Sequence, residues 1–169
     1  MYQSTKTYNN DRGLSCCFRQ WRATHSHCSM LHGYSIGVRL VFESKTLDDR
    51  NWCFDFGGLK PFKQWLDHMF DHTTLIAEDD PQLAVFQELH EKGERGEHGE
   101  YSALLDLRVV PGVGCEAFAK LAYDKMAELL EEAKNGGGRY PANPDVRLVS
   151  VEVFEHGANS AVYLGDEQD

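Results

Sequence analysis

Three histidines and a cysteine crowd into the eight residues from His25 to His32 (His-Ser-His-Cys-Ser-Met-Leu-His), while the other five histidines are scattered. Imidazole and thiol are the side chains that hold zinc or move protons near neutral pH. His25 and His27 are two apart, so an extended backbone there points both rings to one face. His32 follows one short turn later. Three neutral imidazoles converging on a point form the usual ligand set of a catalytic zinc, with the fourth position left for water or substrate. Cys28 is then either a further ligand or a neighbouring acid/base. A polar loop with solvated histidines is the competing reading.

Three further points carry chemistry. Asp71-His72 places a carboxylate beside an imidazole, which fixes the ring's tautomer and raises its basicity, as a general acid/base requires. Alone, the pair also reads as an ordinary helix end. Glu155 continues the face of Val149, Val151 and Val153, where an unpaired carboxylate is costly to bury and calls for a ligand rich in donors. A strand running out into solvent is the plainer account. Glu116 falls early in a helix, where the N-terminus favours a carboxylate by itself. The triplet Asp55-Phe56-Gly57 copies a kinase signature, but no phosphate loop or catalytic loop accompanies it.

The elements that must position these groups follow from the patterning. Residues 1–12 are polar and read as a loose arm. Leu14–Ala23 favours a strand running into the histidine cluster, and Tyr34–Glu43 alternates, with Ile36, Val38, Leu40 and Phe42 on one face. The two make a hairpin whose connection holds Cys28. Trp52–Phe56 is a short apolar return. Leu59, Phe62, Trp65, Leu66, Met69 and Phe70 recur at helical spacing, ending near Asp71–Thr74. The stretch from Glu78 to Tyr101 reads as an acidic solvated loop with one helical turn at Gln82–His90, and residues 88–103 as a surface insertion. Leu104–Val110 is a short strand. A second helix runs from Cys115 to Lys134 and closes at Gly136–Gly138. Val146–Phe154 and Ala161–Leu164 form a last hairpin. With no internal repeat or linker, residues 1–169 read as one α+β domain: an antiparallel sheet with two helices packed on one face.

At 169 residues the chain has the length of one ordinary domain, and 41% hydrophobic with 26% charged residues is a soluble globular composition. A net charge of −10 without a basic stripe argues against a nucleic-acid surface. Five cysteines, two of them adjacent, do not make a disulfide framework and suit a reducing cytoplasm. No apolar run is long enough to span a bilayer.

The ordered set of these motifs resembles the 6-pyruvoyl-tetrahydropterin synthase and 6-carboxy-tetrahydropterin synthase family. Its aromatic-x-Ala-x-His strand end is similar to Trp21-Arg22-Ala23-Thr24-His25, and its Cys-x-x-x-His-Gly-His to Cys28-Ser29-Met30-Leu31-His32-Gly33-Tyr34. Asp-Phe-x-x-Leu-Lys is matched by Asp55–Lys60, Asp-His-x-x-Leu by Asp71–Leu75, and a helix-starting small residue and Glu by Cys115-Glu116. A late strand ending in Glu is matched by Val153-Phe154-Glu155. Each motif is weak; together they span Leu14 to Leu164 in order.

The resemblance implies the tunnelling fold, with sheets of a homo-oligomer joined into a barrel. It implies zinc held by three histidines, proton transfer by Cys28, Asp71 and His72, and a pterin ring gripped by Glu155 with help from Glu116. The implied substrate is dihydroneopterin triphosphate. The expected product is 6-carboxy-tetrahydropterin, in the 7-deazaguanine (queuosine precursor) route. Pyruvoyl-type chemistry and a non-catalytic pterin- or purine-binding homologue are the alternatives. One position departs from the pattern: Tyr34 stands where the family places its third zinc histidine. The expected ligands are therefore His25, His27 and His32. His156, Tyr34 or Cys28 as a substitute ligand remains open, as does a branch without the metal.

Overall fold

The computed structural model describes residues 1–91, 104–136 and 139–166. Chain order among these is β1 (Tyr2–Tyr8), β2 (Leu14–Phe18), β3 (His32–Ser44), α1 (Lys60–Phe70), β4 (Thr73–Ala77), α2 (Leu83–Glu91), β5 (Leu107–Val110), α3 (Cys115–Lys134), β6 (Arg147–His156) and β7 (Asn159–Leu164). Short 3-10 turns occupy Asn10–Arg12, His27–Ser29 and Phe56–Leu59. The fold is α+β. No helix among the described residues is long and apolar enough to cross a membrane.

Strand β3 is the axis. Its outer half pairs antiparallel with β1 (Tyr8 opposite Val38) and its inner half with β2 (Phe18 opposite His32). Along Gly37–Glu43 it also pairs antiparallel with β6, which pairs in turn with β7. The sheet is mixed rather than purely antiparallel, because β4 lies parallel to both β2 and β5. That follows from connectivity: α1 separates β4 from the first strands, and a helical crossover permits parallel pairing where a tight turn forbids it.

The core forms where the alternating faces meet the helices. Ile36, Val38, Leu40 and Phe42 of β3 are buried with Val151 and Val153 of β6, beneath Phe62, Leu66 and Phe70 of α1 and Phe118, Ala122, Met126 and Leu130 of α3. Val149 does not join them. Ser150 faces Val41 and Leu148 faces Phe42, so Val149 is the extra residue of a bulge and Leu148 takes the inward place.

Residues 1–12 are not a loose arm: Tyr2–Tyr8 is a strand, and Asn10–Arg12 turns it into β2. Gly13 supplies the left-handed backbone (φ 87°) that this reversal needs. Strand β2 stops at Phe18, five residues short of the expected end, and Trp52–Phe56 is irregular. The expected helical turn at Gln82–His90 is α2, and the start of the expected insertion at residue 88 belongs to that helix. Residues 92–103 of that insertion, and the expected closing glycines at 137 and 138, lie outside the described residues.

Candidate functional site

A column of aromatic rings runs out of the core to the site. Phe70 meets Phe118 edge-on at 5.4 Å, Phe118 meets Phe18 at 5.1 Å, and Phe18 lies 4.8 Å from the His32 ring. His32 in turn meets Tyr34 edge-to-face at 5.6 Å, with the planes at 89°. His32 and Tyr34 are two apart on β3, on the face that Ile36 and Val38 continue inward, so the site is the open end of the core face. Gly33 between them has a reason: a Cβ there would stand 2.8 Å from the Cys16 carbonyl oxygen.

Cys28 reaches this end through a tightly turned loop. The Gln20 N–H donates to the Cys28 carbonyl at 2.9 Å and closes it. Within it, Ala23 bonds back to Gln20, Ser26 to Ala23, Ser29 to Ser26 and Met30 to His27. The Ser26 hydroxyl accepts from the Cys28 N–H and caps the 3-10 turn. From the opposite side come Glu155 at the end of β6 and Cys115 at the start of α3.

The electrostatics show which groups are neighbours. Burial raises the Tyr34 phenol above its ordinary value, and the negative forms of Glu155, Cys28 and Cys115 add to it. The Cys115 thiol is pushed up to about 12, by burial first and then by Glu155 and Glu116. Tyr34 is therefore a phenol within electrostatic reach of two thiols and a carboxylate, with the exposed His156 ring 6.2 Å away. Cys28 and Glu155 are half-buried, whereas Glu116 is exposed.

The expected ligands do not assemble. His25 and His27 are exposed, and residues 25–29 form a bend and a 3-10 turn, not the extended backbone that would point both rings one way. The His32 ring is held between Phe18 and Tyr34, with Nδ1 2.8 Å from the Met30 carbonyl oxygen. Among the described residues no three His, Cys, Asp or Glu side chains come together in a way that would hold a metal ion. The residues present do not fit a three-histidine zinc site.

Asp71 and His72 are joined to each other, Nδ1 to Oδ1 at 2.6 Å, but not to this cluster. The His72 N–H donates to the Ser15 carbonyl on the far side of β2 from β3, so β2 stands between the pair and Tyr34, which lies opposite Cys16. His72 has a left-handed backbone (φ 56°) that turns α1 into β4 and presents the ring outward, its side chain 86% exposed.

Two residues outside the expected set shape the site. Asn10 Nδ2 donates to the carbonyls of Ser35 (2.8 Å), Phe154 (3.3 Å) and Glu155 (3.3 Å), holding β3 and β6 where their ladder ends. Nothing in its polar surroundings in sequence marks it. Cys115 was legible as the helix-starting small residue, though not as a thiol facing Glu155. A cleft of about 260 Å³ adjoins the Gln20 end of the loop and is lined by Trp21, Arg22, Asp79 and Pro111. There Arg22 stacks on Trp21 at 4.0 Å, and both donate to Asp79.

Comparison with known proteins gives the class, an enzyme of the pterin-synthase kind. Residues 8–166 match the family described as 6-pyruvoyl tetrahydropterin synthase, and the chain belongs to that family. It is 29% identical over 139 residues to a 6-carboxy-5,6,7,8-tetrahydropterin synthase of Aquifex aeolicus, covering 80% of this chain and 75% of the relative. A shorter match, 30% over 57 residues, is to the protein of that name in Rickettsia conorii, and it covers 41% of that protein. In fold the chain is similar to an uncharacterized protein from Wolinella succinogenes (TM-score 0.71, 21% identity, 98% of both chains). It is also similar to the 6-pyruvoyl tetrahydropterin synthase of Plasmodium falciparum (TM-score 0.60, 14% identity, 96% of both). The architecture is that of the tunnelling fold.

Proposed function

We propose that the chain is a pterin lyase of the 6-carboxy-tetrahydropterin synthase type. It would act on dihydroneopterin triphosphate in the 7-deazaguanine (queuosine precursor) route. The observation that carries this reading is Glu155. Its strand is buried at Val151 and Val153, and its carboxylate emerges half-buried beside Tyr34 and Cys115, with no cation paired to it among the described residues. A planar ligand with two adjacent N–H donors, such as a pterin edge, satisfies such a group with a bidentate charge-assisted contact. In this reading Cys28, another neighbour of Tyr34, takes a proton from the ligand's side chain. Glu116, beside Cys115 at the α3 N-terminus, would assist at the same ligand edge.

Asp71 and His72 are exposed, and β2 separates them from Tyr34, so in this reading they serve the site of a neighbouring copy. The outer strands β1 and β7 support association, since Val162 and Leu164 of β7 are exposed.

Calorimetric titration of a pterin into wild type and Glu155→Gln tests the reading. The substitution weakens binding by ~1.5–3 kcal/mol, the scale of hydrogen bonds to a charged group, and leaves folding unchanged. Equal affinities would reduce Glu155 to a solvated strand end. In turnover assays Cys28→Ala loses ~10²–10⁴-fold, the usual share of a general acid/base, and an undiminished rate would remove Cys28 from the mechanism.

A further inference from the structure

The end of the core face carries a group that no ligand set explains. Tyr34 is fixed by the β2–β3 ladder, in which it stands opposite Cys16, and by three rings: His32 at 5.6 Å, Phe18 at 6.1 Å and His156 at 6.2 Å. Its hydroxyl has no protein acceptor among the described residues. A rigidly held phenol with a free O–H, next to the carboxylate that would grip a planar ring, is an unspent hydrogen-bond donor. The imidazoles nearby do not compete for its role as a metal site would, because no three metal-binding side chains converge among the described residues.

We propose that Tyr34, rather than a protein-held metal ion, is the group that meets the oxygen of the ligand's C6 side chain. Its hydroxyl donates a hydrogen bond to that oxygen while Glu155 holds the opposite edge of the ring. This rests on the pterin reading above and deepens it. The phenol is in place before the reaction and costs no reorganisation: it holds the side-chain hydroxyl while the neighbouring C–H proton passes to Cys28 and its electron pair moves into the C6=N5 bond of the ring. His32, packed against the ring edge and fixed through Nδ1 and the Met30 carbonyl, is the positioning residue that stops the phenol from turning away. The site then discriminates between pterins by their side chains, and by a donor that zinc removal cannot abolish.

The test uses the full chain after exhaustive treatment with a chelator. Zinc is titrated in competition with a chromophoric chelator, and two probes are titrated calorimetrically: 7,8-dihydroneopterin, with a hydroxylated side chain, and pterin, with none. Wild type is expected to show no stoichiometric zinc site and to bind both probes without metal. Tyr34→Phe is expected to bind dihydroneopterin about 5–10-fold more weakly, the value of one hydrogen bond, and pterin equally well. Retained pterin binding also shows that the variant is folded. One equivalent of tightly bound zinc in wild type, lost in His32→Ala, would overturn the proposal whatever the activity. So would a Tyr34→Phe protein that loses nothing, or that loses both probes alike. A wild type that binds neither probe would instead sink the pterin reading itself, and the Tyr34 assignment with it.

Discussion

Replacing Asn10 tests how the two halves of the site are held together. Its amide group spans the point where β3 and β6 part, with one short bond to the Ser35 carbonyl and two longer ones to Phe154 and Glu155. One NH2 group has two hydrogens, so these contacts amount to about two ordinary bonds, each ~0.5–1.5 kcal/mol net. Asn10→Ala should therefore cost roughly 1–3 kcal/mol, or about 2–12 °C in midpoint for a chain of this length. Asn10→Asp is the sharper variant. It keeps the shape but turns a donor into a carboxylate aimed at three carbonyl oxygens, so at pH 7 it should be less stable than Asn10→Ala. Both variants should also bind a pterin more weakly than wild type, because the Glu155 backbone is released. Thermal unfolding, urea titration and calorimetry at pH 7 read all three effects. An Asn10→Asp protein as stable as wild type would refute the reasoning, since no donor would then be needed at that junction.

Three other outcomes follow from the packing. Tyr8, Cys16 and Cys115 are each held near 12 in the folded chain, chiefly by burial, against ordinary values of 10.0, 9.0 and 9.0. Their contribution to stability is complete below pH 9 and drains away as pH rises through 12, with a ceiling of ~1.4 kcal/mol per pH unit for each group. Urea midpoints at pH 8, 10 and 11 should fall in that order, and a flat series would contradict it. Gly33→Ala forces a Cβ to 2.8 Å from the Cys16 carbonyl and should cost ~1–3 kcal/mol, while also weakening pterin binding through Tyr34. Wild-type stability in that variant would show that the strands part freely there. Arg19→Met strips the partner from Asp80, whose side chain is fully buried and held by the guanidinium at 2.8 and 3.2 Å. The expected loss is ~3–5 kcal/mol at neutral pH by denaturant titration, and a loss below ~1 kcal/mol would mean that Asp80 is satisfied by the Gln82 N–H alone.

Strong periodicity made much of the fold legible. The Cys115–Lys134 helix, the Leu59–Phe70 stripe and the alternation of β3 are patterns in which one face is buried and the other is not. Strand β1 was silent because it is an edge: of Tyr2–Tyr8 only Tyr8 is buried, so no hydrophobic alternation marks it. Strand β4 failed for the opposite reason. All five residues of Thr73–Ala77 are buried, and so short a run carries no period to distinguish a strand from the end of a helix. The strand-end positions of Cys28, Tyr34 and Glu155 could be read, since each ends or adjoins a patterned strand. The convergence of His25, His27 and His32 could not, because it depended on the backbone between them being extended. Ser26 caps a 3-10 turn there instead, and both imidazoles are exposed.

The pairing of β3 with β6 has a consequence for how the protein comes into being. Val38 lies opposite Val153, so the apolar face of β3 is synthesised 115 residues before the strand that completes its ladder. At the ~5–20 residues per second typical of translation, that is roughly 6–23 s. During this interval β1 and β2 can cover one edge of β3, while the other shows open backbone groups beside Ile36, Val38 and Leu40. Such an edge is a template for the wrong partner, including another nascent copy. A chain cut short within α3 would carry Cys28, Tyr34, Asp71 and His72 but would have its most adhesive strand unguarded. The C-terminal hairpin is thus the closing clasp of the molecule as well as the bearer of Glu155: no chain can bring Glu155 beside Tyr34 without first hiding that edge.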